Sequence, residues 1–422
     1  MPDYGTSQRP VRTLTVKNFS VIKEAKLEFG KITVLIGPQA SGKSLLCKLA
    51  YFFEKIVPDA YYRKSSELLS LEEIADLIRN EFIEKFPLDN WSGQMFDIRY
   101  DSDEFFICMV NKDGRDRLFL KFPDKFRGFQ DAISANQVFS QGDNSQYDFS
   151  QTPPIPVITD SVYVPTGRTF FSYTNRSNAA LATKNLDWIT LHYATHFDAD
   201  YKALLKCYQA GPGVQQEFSS IATRILKGNV VRENGRLLFK SPEDSRRRSF
   251  EFLSSGTLEL LPLMNSISQL VDEAHLLPTS KKPLAPFGTL FIEEPESSVF
   301  PITQNDLVHL FAWLSNQGVP AMSYAITTHS PYILTSFNNL IEAGQAARNN
   351  PKLHDQVAKI VPEQYWIKEG EFKAYAIENG ELKSILNESG FVEGNYLDQV
   401  SEVIGNEFDE LLRLEYEHTK AS

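Results

Sequence analysis

Cysteine is scarce: the 422 residues hold 3, at Cys47, Cys108 and Cys207. Three thiols cannot all pair, and these lack metal-ligand spacing. Neither a disulfide framework nor a zinc ribbon is therefore expected, and the compartment reads as reducing and cytoplasmic. Basic charge is not in excess. Lys and Arg total 43 against 54 Asp and Glu, a net charge of −11, which argues against uniform coating of nucleic acid. No apolar run approaches the roughly 18 residues of a membrane span, so no membrane association is expected. Met1 to Val11 is polar with two prolines, and no secretory leader is expected. Internal repeats and sustained heptads are also missing, which excludes a solenoid and a long coiled coil. What is present is ordinary globular usage, 42% hydrophobic and 23% charged. At about 150 residues per domain the length allows two or three domains with a large core.

Alternation of Leu14, Val16 and Val21, then Ala25, Leu27 and Phe29, reads as two half-buried strands over 12–29, broken at Lys17-Asn18. Ile32 to Ile36 is almost wholly apolar, the pattern of a central strand covered on both faces. A glycine-rich turn follows, and then Leu45, Leu46, Leu49 and Phe52-Phe53 recur at helical spacing. Residues 64–86 read as a helix with a capping box at Ser70 and Glu73. Residues 95–122 return to strands with a turn at Asn111 to Gly114. Residues 124–160 read as a polar loop, and 196–226 as helix interrupted at Gly211-Pro212-Gly213. A hairpin turning at Glu233-Asn234-Gly235 occupies 228–252, and an apolar helix containing Pro262 spans Leu258 to Leu277. Leu290 to Ile292 and Ala321 to Thr327 are strands with a helix at Val308 to Leu314 between them. A second hairpin lies at Asn379-Gly380, and an amphipathic helix runs from Leu397 to Leu414. Alternating strands and helices predict an α/β fold with a mixed sheet.

Four segments carry chemistry. Gly37-Pro38-Gln39-Ala40-Ser41-Gly42-Lys43-Ser44 has P-loop spacing and sits between an apolar strand and an apolar helix. Its glycines let backbone amides and a helix N-terminus converge on phosphate, Lys43 reaches the β and γ phosphates, and Ser44 offers a hydroxyl to Mg²⁺. Leu290 to Ile292 leads into Glu293-Glu294-Pro295-Glu296, which places carboxylates at the C-terminal end of a buried strand. One can join a magnesium shell and the next can accept a proton from water. Ser254-Ser255-Gly256 opens the apolar helix, either as a second anion-binding N-terminus or as a plain N-cap. Thr327-Thr328-His329-Ser330-Pro331 ends a strand, as the acids do, and so can face the same crevice.

The order of these four segments resembles the head of an ABC-type ATPase of the SMC/RecF/OLD group. Within it, the chain is most similar to compact OLD-type AAA ATPases of bacterial defence systems, such as PARIS-like and Septu-like subunits. Leu14 to Phe19 with Ile22 to Ala25, Glu293 to Glu296, Tyr163-Val164-Pro165-Thr166-Gly167-Arg168 and the hairpin before Ser254 carry the resemblance. It covers 12–58 and 160–345 well, 59–159 poorly and 346–422 loosely. It implies an inserted compact helical arm. Head residues at 1–58 and 251–345 would flank an arm and hairpin lobe at 59–250, with 346–422 completing the head. It also implies that Gly37 to Ser44 bind ATP, that Ser44 and Glu293 hold Mg²⁺, that Glu294 is the general base and that His329 senses the γ phosphate. Ser254, Ser255 and Gly256 would meet ATP held by a second protomer, giving a homo-oligomer with nucleotide sandwiched between heads.

Three departures stand out. Glu293 replaces the usual Asp, the signature lacks the LSGGQ form, and the glutamine loop stays unassigned among Gln130, Gln137 and Gln141. OLD nucleases carry a Toprim domain with acidic motifs, whereas no Asp-x-Asp follows His329, so no nuclease is expected in this chain. The resemblance points to a slow ATP-driven switch controlling a separate effector, a nuclease or toxin. A RecF-type repair ATPase and a non-hydrolysing ATP-dependent scaffold are the alternatives. Arg246-Arg247-Arg248 and the stretch Lys112 to Arg127 read as mixed-charge faces, with local DNA contact left open.

Overall fold

The computed structural model describes residues 12–59, 71–102, 105–112, 118–121, 161–173, 186–242, 246–276, 288–317 and 322–394. In chain order these form β1 (Arg12–Phe19), β2 (Ile22–Phe29), β3 (Ile32–Ile36), α1 (Lys43–Tyr51), α2 (Leu71–Lys85), β4 (Phe96–Ser102), β5 (Phe105–Asn111), β6 (Phe119–Lys121) and β7 (Val162–Val164). Then come α3 (Thr169–Tyr173), α4 (Trp188–His196), α5 (Lys202–Gln209), α6 (Val214–Leu226), β8 (Asn229–Glu233), β9 (Arg236–Lys240), β10 (Arg247–Arg248) and α7 (Ser255–Leu276). Finally β11 (Thr289–Glu293), α8 (Pro301–Gln317), β12 (Ser323–Thr328), α9 (Pro331–Asn349), α10 (His354–Ile360), β13 (Phe372–Glu378) and β14 (Glu381–Ser384) follow.

The fold is α/β, built on an 11-stranded mixed sheet in the order β6-β5-β4-β1-β2-β14-β13-β3-β12-β11-β7. One half is antiparallel, β6 through β2; in the other, β13, β3, β12, β11 and β7 run parallel. The parallel strands explain their own composition. Ile32, Val34, Leu290, Ile292, Tyr324 and Ile326 enter one core with α5 to α9, whereas Leu35, Phe291 and Ala325 enter the other with α1 and α2. A strand covered on both faces has no position for a polar side chain pointing to water, hence the unbroken apolar runs. Each such Leu, Ile or Phe contributes about 1.5–3 kcal/mol by leaving water.

Several expectations are refined. The first turn falls at Ser20-Val21, with β1 running through Phe19. Asn18 adopts φ 53° and is unpaired between Lys17↔Glu24 and Phe19↔Ile22, but the register is the same on both sides of it, so the strand continues through Phe19. Both Asn-Gly hairpins form, with Asn234 and Gly235 at φ 48° and 77° and Asn379 and Gly380 at 52° and 84°. Several described elements of stretch 59–250 pair with or pack on elements outside it. β4 pairs with β1, β7 pairs with β11, and α5 and α6 pack on α7 within one core. α9 went unread in the sequence, although Ser330 caps it by accepting from Tyr332 N. The expected helix at 397–414, the loop at 124–160 and the glutamine-loop candidates lie outside the described residues.

Pro262 sits inside α7. A proline has no N–H for the carbonyl four residues back. That carbonyl, Leu258 O, accepts instead from Ser172 Oγ at 2.8 Å, so α3 repairs the helix that the proline would weaken. Among the described residues no helix is long and apolar enough to cross a membrane.

Candidate functional site

β3 ends at Ile36, and the P-loop carries the chain to α1. Two glycines are steric necessities there. A Cβ on Gly37 would lie 2.6 Å from Ile377 O, and one on Gly42 would lie 2.3 Å from Ile22 Cδ1 at a φ of +106°. Lys43 is buried, and its ammonium donates to Gly37 O at 2.8 Å and Pro38 O at 2.9 Å. Burial lowers its pKa, against the attraction of Glu294, Glu296 and Glu293, which raises it. Ser41 Oγ is buried without a hydrogen-bond partner.

β11 delivers the acids beside this loop because it runs parallel to β12, which in turn pairs with β3. Glu294 has φ +40°. Its Oε1 lies 3.2 Å from His329 Nε2, and its Oε2 accepts from Ser297 Oγ at 3.3 Å. Glu293 is buried; its Oε1 accepts from the Tyr163 hydroxyl at 2.7 Å and its Oε2 from Thr166 N at 3.2 Å. Burial, reinforced by Glu293, pushes the Tyr163 phenol well above its ordinary pKa, so it stays a donor. Glu296 Oε1 accepts from Thr328 Oγ1 at 2.6 Å and His329 N at 2.8 Å, while its buried Oε2 has no partner. A third acid therefore sets the strand end that bears His329.

A cleft of about 860 Å³ is lined by Gln39 to Leu45, Glu294 and His329, with Phe19, Phe86 and Trp188 among its apolar lining. The P-loop, the second acid and the histidine thus share one space. Glu293 lies behind the wall rather than on it. Ser254, Ser255 and Gly256 do not line this cleft. Both serines are exposed, and Ser254 Oγ accepts from Thr257 N at 3.3 Å as an N-cap. Gly256 abuts the loop after the acids, since a Cβ there would meet Ser298 O at 2.6 Å. Ala40 at φ 59°, Glu294 at 40° and Ser298 at 60° are non-glycine residues in the left-handed region. Such conformations cost roughly 1–3 kcal/mol each and persist where surrounding structure enforces them.

Residues 32–335 match the family described as "AAA domain, putative AbiEii toxin, Type IV TA system". The chain belongs to that family. Membership assigns the P-loop of this AAA-domain chain to nucleotide binding. No curated protein matches. Solved structures similar to the AAA-domain chain include the SMC head domain from Thermotoga maritima, at 12% identity, 90% of this chain, 100% of that one and a TM-score of 0.38. Another is the Smc head domain with an extended coiled coil bound to the C-terminal domain of ScpA, derived from Pyrococcus furiosus (12%, 94%, 98% and 0.36). A third is the recombination mediator protein RecF-ATPrS (13%, 90%, 100% and 0.34).

The residues fit a bound triphosphate on their own geometry. The glycine positions leave no room for a side chain, and Ser41 Oγ is an orphan hydroxyl within the loop. Among the described residues no group of three or more His, Cys, Asp or Glu could hold a metal by itself. A magnesium ion would therefore depend on phosphate oxygens as well as on side chains of the protein. Arg168 went unread as a functional residue. It is fully buried and donates to the carbonyls of both Glu293 and Glu294. Only its place in the Tyr163 to Arg168 segment marked it in the sequence. Arg247 of the basic triplet is ion-paired with Glu233 in the small sheet of β8 to β10.

Proposed function

We propose that this chain is an ABC-type ATPase head acting as a nucleotide-driven switch, and that it regulates a separate effector, a nuclease or toxin, in an anti-phage defence system. The enzymatic part is carried by one observation: Lys43, Ser44, Glu294 and His329 line a single cleft. Lys43 would meet the β and γ phosphates, and Ser44 with Glu293 would hold magnesium, which supplies charge neutralisation. Glu294 would take the proton of the attacking water, and His329, already against Glu294, would register the γ phosphate. Ser254 to Gly256 would serve a second protomer's nucleotide, which accounts for their exposure and their place outside the cleft. The exposed Phe252, Phe300 and Ile302 flank the signature and the acidic loop, as a closing face between two copies requires. ATP would favour the closed pair by its differential affinity. The defence role rests on the resemblance, and the family description, with its toxin–antitoxin term, supports it.

The test is Mg-ATP turnover and solution mass of wild type, Lys43→Ala and Glu294→Gln. Lys43→Ala should lose nucleotide affinity. Glu294→Gln should retain affinity, lose turnover and accumulate the ATP-bound assembly. Equal turnover by wild type and Glu294→Gln removes Glu294 as base. Turnover stimulated by duplex DNA without a partner replaces the defence reading with a RecF-type repair role. ATP-driven assembly without hydrolysis, unchanged in Glu294→Gln, makes the chain a scaffold.

A further inference from the structure

Arg168 carries a charge into a fully buried place. Its guanidinium is held by backbone carbonyls around the acids. Nη1 donates to Pro165 O at 2.9 Å and Glu293 O at 2.6 Å, Nη2 to Glu294 O at 2.9 Å, and Nε to Glu259 O at 3.0 Å. Its counter-charge is Glu259, with Nε 3.5 Å from Oε2. Glu259 belongs to α7, three residues beyond Gly256. Its carboxylate meets only donors: Oε1 accepts from Thr169 N at 3.1 Å and Thr169 Oγ1 at 2.6 Å, and Oε2 from Arg168 N at 3.1 Å.

Glu294 needs such support. Its backbone lies in the left-handed region at φ +40°. On one side Glu294 N donates to Thr327 O of β12 at 2.9 Å. On the other, Arg168 holds the carbonyls of residues 293 and 294 with one planar fork. A lysine donates from one nitrogen only and lacks the planar fork whose three nitrogens reach Pro165 O, Glu259 O, Glu293 O and Glu294 O together. We propose that Arg168 is the positioning residue of Glu294, tying the placement of its carboxylate to the signature helix α7 through Glu259. This rests on Glu294 being the general base.

The experiment compares wild type, Arg168→Lys, Glu294→Gln and the double variant for ATP affinity and single-turnover hydrolysis. A misplacement of about 1 Å can cost roughly 100-fold in rate. Arg168→Lys should therefore lower kcat by about that factor while ATP affinity stays within about 3-fold. In the Glu294→Gln background it should add no further loss, because groups acting as a unit are not additive. A merely structural arginine would lower affinity with kcat and would also reduce the residual turnover of Glu294→Gln; either result overturns the proposal. Slow Glu294→Gln beside unimpaired Arg168→Lys sinks this proposal alone, whereas equal turnover of wild type and Glu294→Gln sinks the base assignment and this proposal with it. Should Arg168→Lys fail to fold, Thr169→Val removes one hydroxyl bond to Glu259. It should lower kcat by roughly 10-fold, the worth of about one hydrogen bond to a charged group, and no decrease overturns the coupling.

Discussion

Gly256→Ala tests the joint between the signature helix and the acidic loop. A Cβ at Gly256 would sit 2.6 Å from Ser298 O, where ordinary contact begins at 3.4 Å. The obstacle is backbone, not the tip of a flexible side chain, so α7 and the loop must part by most of an ångström. Ser298 is already at φ 60° and has little freedom to yield. Overpacking costs about 1–3 kcal/mol, and a backbone clash belongs at the upper end. Alanine regains about 0.5–1 kcal/mol of helix propensity. The net loss is about 2 kcal/mol, a fall in Tm of roughly 4 °C for a large domain. Gly211→Ala is the matched control. Nothing lies within 4 Å of its Cβ position, so it should be neutral or stabilise by up to about 1 kcal/mol. Thermal and urea unfolding of both variants provide the assay. Equal stabilities would show that α7 does not touch the loop after Glu294, and the coupling argued above would fail with it.

Lys43→Met should weaken ATP binding by about 3 kcal/mol, roughly 100-fold, as a charge-assisted phosphate contact is lost. Yet the nucleotide-free protein should not be destabilised at pH 7. Burial holds the folded pKa of Lys43 below its ordinary value, so the unfolded chain binds more protons between the two. Wild-type stability should therefore rise with pH through that alkaline window, and Lys43→Met should lack this increment; equal pH slopes in urea titrations would refute it. Tyr163→Phe removes the 2.7 Å hydroxyl donor of buried Glu293 and should cost about 2 kcal/mol with a raised magnesium requirement, read by melting and by metal titration of turnover. Burial pushes the Cys207 thiol up to about 12 and Cys47 higher still, whereas Cys108 is partly exposed. Iodoacetamide at pH 8 should label Cys108 first, as mapped by peptide mass, and prior labelling of Cys47 would contradict its burial.

Much of the fold was legible because its signals are local. The P-loop is a contiguous string whose glycines are demanded by a backbone contact at Gly37 and a left-handed φ at Gly42, and both Asn-Gly turns form where the dipeptides stand. The apolar run at Ile32 marked a strand covered on both faces, the runs at Leu290 and Tyr324 marked two further strands, and the fold places the three side by side. Other features had no local signal. The pairing of β4 with β1 draws part of a presumed arm into the head, and register between distant strands leaves no mark in either strand alone. Ser172 compensating Pro262 joins residues far apart in the chain. Arg168 read as one more residue of a family-like segment, because its guanidinium bonds to four carbonyls that come from three places in the chain.

By itself the sequence determined which residues have the chemistry to meet a triphosphate, since side-chain type and short-range spacing are written in order along the chain. Only the tertiary structure decided which of them share a cleft. It put Glu294 and His329 on the wall with Lys43, set Glu293 behind that wall against Tyr163, and left Ser254 facing outward. Those placements follow from parallel strand order and close backbone packing, which depend on the whole sheet rather than on any one segment.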